Sequence, residues 1–207
     1  MLEKSFGFCP SLPEDIQPIF QNLCEDLASL FDKWHLYLDL FSQEETVALL
    51  NNSAMASFQV IEESLRSDIT MSICRFCDRQ KLSGKENLSI RILDDKLGHI
   101  PGLGTLLNDF LSICDPVIQY RNKRIGHNDL KIALKPHDNP LPSITRATIN
   151  KILKAAADLM NHTLGFYENA EIGFDLDVSL GGGKDLVNWL RSAWEHYKEE
   201  QKKYGIK

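Results

Sequence analysis

The chain has 207 residues, 43% of them apolar and 25% charged, and its formal charge is −6. That composition is ordinary for a globular protein and excludes wholesale disorder, collagen-like repeats and a disulfide scaffold. A protein that coats nucleic acid unselectively is basic, so the acidic total argues against that class, although a local basic patch can hide in an acidic average.

Apolar residues recur in steps of three and four from Pro13 to Phe41, through Ile16, Phe20, Leu23, Leu27, Leu30, Trp34 and Leu38, which predicts a long helix. Ser42-Gln43-Glu44-Glu45 has the form of a capping box and opens a second helix through about Leu50. A longer helix is expected from Ser53 to about Arg79, ending before Lys81-Leu82-Ser83-Gly84-Lys85. A short one follows from Leu88 to Leu97, then a strong one from Leu103 to about Gly126. Three prolines between Lys135 and Pro142 mark a linker, because proline cannot continue a helix. Ser143 is expected to cap a helix running to about Tyr167. The alternating stretch Ile172–Leu180 reads as an extended connector. Gly181-Gly182-Gly183 then precedes a final amphipathic helix, expected to bury Leu186, Leu190, Ala193 and Tyr197. The expected fold is an all-α antiparallel helical bundle over residues 1–170, with a connector and an extra C-terminal helix over 171–207 packed on it.

Several motifs fail. Gly102-Leu103-Gly104 needs a glycine at position 107 to make a dinucleotide fingerprint, and Leu107 stands there. Gly183-Lys184 is followed by Asp185 instead of the Ser or Thr that holds magnesium in a P-loop. Cys74 and Cys77 form a CxxC without the second pair of a zinc ribbon, so buried thiols are expected there, with no metal and no cofactor. Arg75 and Asp78, beside them, are expected to serve a structural salt bridge in preference to facing a cleft. The first residues show no basic segment followed by an apolar core, and no apolar run reaches the ~18–20 residues of a bilayer span. The expected setting is reducing cytoplasm.

Tyr120-Arg121-Asn122-Lys123-Arg124-Ile125-Gly126-His127-Asn128-Asp129 stands out. Residues 121–135 carry five basic side chains and one acidic one, a local balance of +4 that leaves −10 for the rest of the chain. One reading is a helix end whose cations complement the helix dipole, stopped by Gly126 or Asn128. The other is chemical. Metal-free RNA cleavage needs a proton acceptor for the ribose 2′-OH, a donor for the leaving 5′-oxygen and a cation for the crowded phosphorus. Histidine titrates near neutrality, and arginine offers planar paired donors to phosphate oxygens. On an ideal helix Arg121 and His127 would sit about 120° apart. Gly126 can loosen the turn, and Arg124 shares the face of His127 more naturally. Either arginine can therefore be the phosphate clamp.

Arg121-Asn122, four further residues and His127 match the R-polar-x4-H signature of the HEPN superfamily. The order of elements resembles its abortive-infection AbiU-type branch, in which a helical pair and a short helix like Asn87-Leu88-Ser89-Ile90-Arg91 precede the motif. The resemblance covers residues 15–165 and implies a metal-independent endoribonuclease, acting in phage defence or as a toxin. HEPN domains commonly dimerise with two motif helices facing one another, which would bring His127 together with its symmetry mate. By that analogy Arg121, Asn122 and His127 are catalytic, while Lys123, Arg124 and Asn128 bind substrate. RNA, a second copy of the chain and, for a toxin, an antitoxin are the implied partners. Asp129 stands where some HEPN toxins carry a tyrosine that a partner nucleotidyltransferase modifies, so that mode of control is not expected. Two other readings are a catalytically silent helical module that binds RNA or protein, and a plain bundle whose basic helix end has no further role.

Overall fold

The computed structural model describes residues 9, 11–82, 84–125, 141–176 and 181–204. Among them six α-helices and one π-helical turn carry the fold, and the strands are a single two-residue pair. The all-α bundle expected from the helical periodicity is the fold found. No helix among the described residues is long and apolar enough to cross a membrane.

Helix α1 spans Gln17–Phe41 and α2 spans Glu44–Cys77. The two helices expected on either side of residues 51–52 are one element, broken at Ala54 (φ −159°, ψ 64°). The chain divides into two compact units, one of Met1–Phe31 with Thr70–Asp175 and one of Asp32–Ile69 with Leu176–Lys207, so α1 and α2 contribute to each.

In the first unit, strands β1 (Lys81–Leu82) and β2 (Lys85–Glu86) pair antiparallel, where the sequence had indicated only a helix end. Gly84 takes the positive φ (+79°) that this tight turn requires. Helix α3 (Arg91–Leu97) starts three residues later than expected, because residues 87–90 bond to the end of α2 instead. Helix α4 (Leu103–Tyr120) packs on α3 and on α5 (Arg146–Tyr167). The cap of α5 is Thr145, not Ser143: its extended backbone lets Oγ1 accept from the Thr148 N–H at 3.1 Å. Leu23, Leu27, Ile73, Ile90, Leu93, Leu103, Phe110 and Leu159 are buried in this unit, and Phe76 meets Phe110 edge to face with ring centroids 6.1 Å apart. Asn161 holds the connector by two bonds to the Ile172 backbone, and Phe174 is buried beside Phe31.

In the second unit, helix α6 (Gly183–Tyr204) packs on a cluster of Leu40, Leu49, Leu50 and Phe58. Its inward stripe is Gly183, Val187, Leu190 and Trp194, rather than the expected Leu186, Leu190, Ala193 and Tyr197. The start of the helix decides this. Asp39 Oδ2 accepts the Lys184 N–H at 3.2 Å, and a Cβ on Gly183 would lie 2.6 Å from Asp39 Cβ. The bare glycine backbone is seated against Asp39, and the residues in register with it turn inward. The three-glycine run that looked like part of a failed phosphate loop thus ends in a packing position.

Candidate functional site

Helix α4 buries Leu103, Leu107, Phe110, Cys114 and Val117, in steps of four and three. The next position on that stripe is Arg121. The sequence therefore turns the first residue of the motif toward the packed side of the helix, where a cation needs a partner. Asp78 supplies it. Arg121 Nη2 donates to Asp78 Oδ1 at 2.8 Å, with the two side chains 21% and 35% exposed. Nε of Arg121 is buried and makes no hydrogen bond to any described residue. Burial opposes the guanidinium charge most strongly of any single cause, but the bond and attraction to Asp78, together with Cys74 and Cys77 nearby, raise the pKa overall, so Arg121 stays protonated.

Asp78 is held from behind. Helix α2 ends at Cys77, and the last carbonyls of any α-helix lack helical partners. Residues 87–91 provide donors in order. Ile90 N–H donates to Phe76 O at 2.9 Å, Arg91 Nε to Cys77 O at 3.0 Å, Ser89 Oγ to Asp78 O at 2.6 Å and Asn87 Nδ2 to Arg79 O at 3.0 Å. Ser89 is fully buried, so its bond fixes the backbone that carries the carboxylate.

Cys74, Cys77 and Cys114 are buried near this pair, and none of the five cysteines is in a disulfide. Burial, reinforced by Cys77, pushes the Cys74 thiol up to about 12 despite the nearby Arg121. Its hydrogen bond to Cys77, together with burial, drives Cys114 up as well. The Cys77 thiol donates to Ile73 O at 3.0 Å. Cys74 and Cys114 remain neutral thiols, and all three side chains pack as small apolar groups. Among the described residues no group of three or more His, Cys, Asp or Glu side chains converges as a metal site.

Helix α4 stops as an α-helix at Tyr120 and continues as a π-helical turn over Arg121–Ile125. The expected α-helix to Gly126 is therefore corrected. The backbone loosens at the first residue of the motif, one turn after Pro116, which has no N–H for the helical ladder. A π-turn is wider than an α-turn, and single π-turns are frequent at functional sites. Ideal α-helix angles do not apply within Arg121–Ile125.

Asn122, Lys123 and Arg124 are exposed on this turn, whereas Arg121 is half-buried. His127 and Asn128, with Gly126 and Asp129, lie outside the described residues. For Asp78 the sequence reading prefers a structural salt bridge to a position in the site, and the structure gives it both. It does form a salt bridge, but with Arg121; Arg75 Nη2 instead donates to Ser72 Oγ at 3.2 Å. A signal was present. Asp78 directly follows the buried run Ile73, Cys74, Phe76, Cys77, just as Arg121 ends the buried stripe of α4. Two opposite charges that each terminate a buried stripe are natural partners.

The sequence model of the HEPN AbiU2 family matches residues 13–180. The match takes in α1 to α5 and the motif segment, and it ends before α6. No curated protein and no solved structure matches the chain. With most of its 207 residues inside the family match, the chain belongs to the AbiU2 family of HEPN domains.

Proposed function

We propose that the protein is a metal-independent endoribonuclease of phage defence or of a toxin system, working in the cytoplasm. The observation that carries this reading is Arg121, held by Asp78 at the start of a π-turn in an AbiU2-family bundle. Asp78 engages the guanidinium through Nη2 and Nε is buried, but the side chain stays 21% exposed, so a phosphate oxygen can reach its outer edge. Arg121 is thus the phosphate clamp, already oriented before RNA arrives. Lys123, Arg124 and Asn128 hold the RNA backbone on either side.

Two copies face one another across the motif segments. His127 of one copy takes the proton of the ribose 2′-OH, and the 2′-oxygen attacks phosphorus. The P–O5′ bond breaks, and His127 of the other copy gives a proton to the departing 5′-oxygen. Asn122 orients the histidine or the arginine. The products are a 2′,3′-cyclic phosphate and a 5′-hydroxyl. General acid–base catalysis of this kind contributes about 10²–10⁴-fold to a rate. The test is incubation of labelled RNA with purified chain in EDTA, beside His127→Ala. Loss of cleavage in the variant supports the reading; cleavage that survives the substitution, or is absent from the wild type, refutes it.

A second reading is a catalytically silent module that binds RNA or protein. It is favoured by the same ion pair, since Asp78 competes with phosphate for Arg121. Salt-dependent RNA binding without cleavage is its signature.

A further inference from the structure

Helix α2 breaks at Ala54, and a cavity of about 260 Å³ sits at the break. Residues from both sides of the break line it, Leu50 and Asn51 before, Phe58, Gln59 and Glu62 after, and Phe41 joins them from the end of α1. All of them belong to the second unit. Leu50 and Phe58 are buried, whereas Asn51 and Gln59 are exposed. An apolar lining with a few convergent polar groups is the usual make-up of a small-molecule site. The volume lies just under the ~300–1,000 Å³ of pockets that take drug-sized ligands, so the occupant is smaller than those.

Charge selects that occupant. Among the described residues, Glu62 is the charged member of the lining. Its Oε1 accepts a hydrogen bond from the Tyr37 hydroxyl at 3.4 Å, and the Tyr37 ring lies beside that of Phe41, with centroids 5.5 Å apart. Arg66 Nη1 comes to 4.0 Å from the same oxygen and is 61% exposed, a tie that solvent weakens. Helix α2 as a whole carries five acidic side chains and two basic ones. A carboxylate beside an apolar cavity repels anions and attracts a cation. We propose that this cavity binds a small organic amine, its apolar body against Phe41, Leu50 and Phe58 and its ammonium on Glu62. The three N–H donors of a primary ammonium match the Glu62 carboxylate and the side-chain oxygens of Asn51 and Gln59.

This site uses none of the residues of the proposed cleavage site, and its test needs no RNA. The full chain is titrated with 2-phenylethylamine, which is protonated at neutral pH, and with its uncharged counterpart 2-phenylethanol. The chain has four methionines, and Met55 lines the cavity, so isotope-labelled methionine methyl groups report by NMR where a ligand sits. The amine is expected to shift the Met55 signal, identified by its loss in Met55→Leu, and to leave that of Met160, buried in the other unit, in place. It should bind about tenfold or more tightly than the alcohol, because a hydrogen bond to an ionised partner is stronger than one between neutral groups. Glu62→Gln should remove that preference, and circular dichroism checks that the variant is folded. An amine that leaves the Met55 signal unmoved at millimolar concentration, that binds no more tightly than the alcohol, or that keeps its preference in Glu62→Gln overturns the proposal. A chain that cleaves no RNA can still pass this test, and one that cleaves can still fail it, so the two proposals fall separately.

Discussion

Helices α4 and α6 both carry apolar residues at helical spacing, yet the structure uses them in opposite ways. In α4 the stripe Leu103, Leu107, Phe110, Cys114 and Val117 is wholly buried, and its continuation is a cation, Arg121, that Asp78 receives. In α6 the apolar residues fall on two stripes. Gly183 against Asp39 decides that the Val187 stripe goes inward, and the Trp189 stripe is left out. Periodicity thus fixes the buried face when there is one stripe. With two, a single close contact at the helix start chooses between them.

The comparison can be broken by substitution. The largest effect is expected in α4: Phe110→Ala should cost about 3–5 kcal/mol, whereas Trp189→Ala should change the unfolding of the dilute chain by no more than ~0.5 kcal/mol. Urea titration of both variants checks the contrast, and equal costs would erase it. Next comes the charge that ends the α4 stripe. Asp78→Ala should destabilise by about 1–3 kcal/mol, because it strands a half-buried guanidinium, and should also loosen the π-turn in hydrogen exchange. Gly183→Ala is expected to cost about 1–3 kcal/mol, since the new methyl meets Asp39 Cβ and the start of α6 must shift. A melting temperature unchanged in that variant would mean that Asp39 does not set the register.

A gentler probe is pH. Burial pushes the thiols of Cys24 and Cys74 from an ordinary 9.0 up to about 12. In the unfolded chain they ionise near 9, while in the folded chain they keep their protons. Their contribution is therefore complete below pH 9 and is lost as pH rises from 9 toward 12. Melting temperature should fall progressively through that window, and less steeply in Cys74→Ala.

Much of this was legible in the sequence. The long helices and the basic notch at 121–124 follow from spacing and charge, and the break expected at residues 51–52 falls slightly later, at Ala54. Residues 87–91 read as the start of a helix, but their donors bond to the end of α2, and no local propensity reveals that long-range use. Ser143 and Thr145 both have hydroxyls that can cap a helix, and the Thr148 N–H donates to Thr145, two residues later than the sequence reading places the cap. A salt bridge at Asp78 is expected from its place at the end of an apolar helix, but its partner, Arg121, is 43 residues away in sequence and near only in space. In each case a contact between distant segments overrode a local preference.

The most direct test of the account is cleavage of labelled RNA in EDTA by wild type, Arg121→Ala and Arg124→Ala. Removing one positioned charge donor costs about 10²–10³-fold in rate where it stabilises the reacting centre. The account predicts that loss for Arg121→Ala, only a small change for the exposed Arg124→Ala, and a 2′,3′-cyclic phosphate on the wild-type product. Wild-type rates in Arg121→Ala, with the loss falling on Arg124→Ala instead, would contradict it.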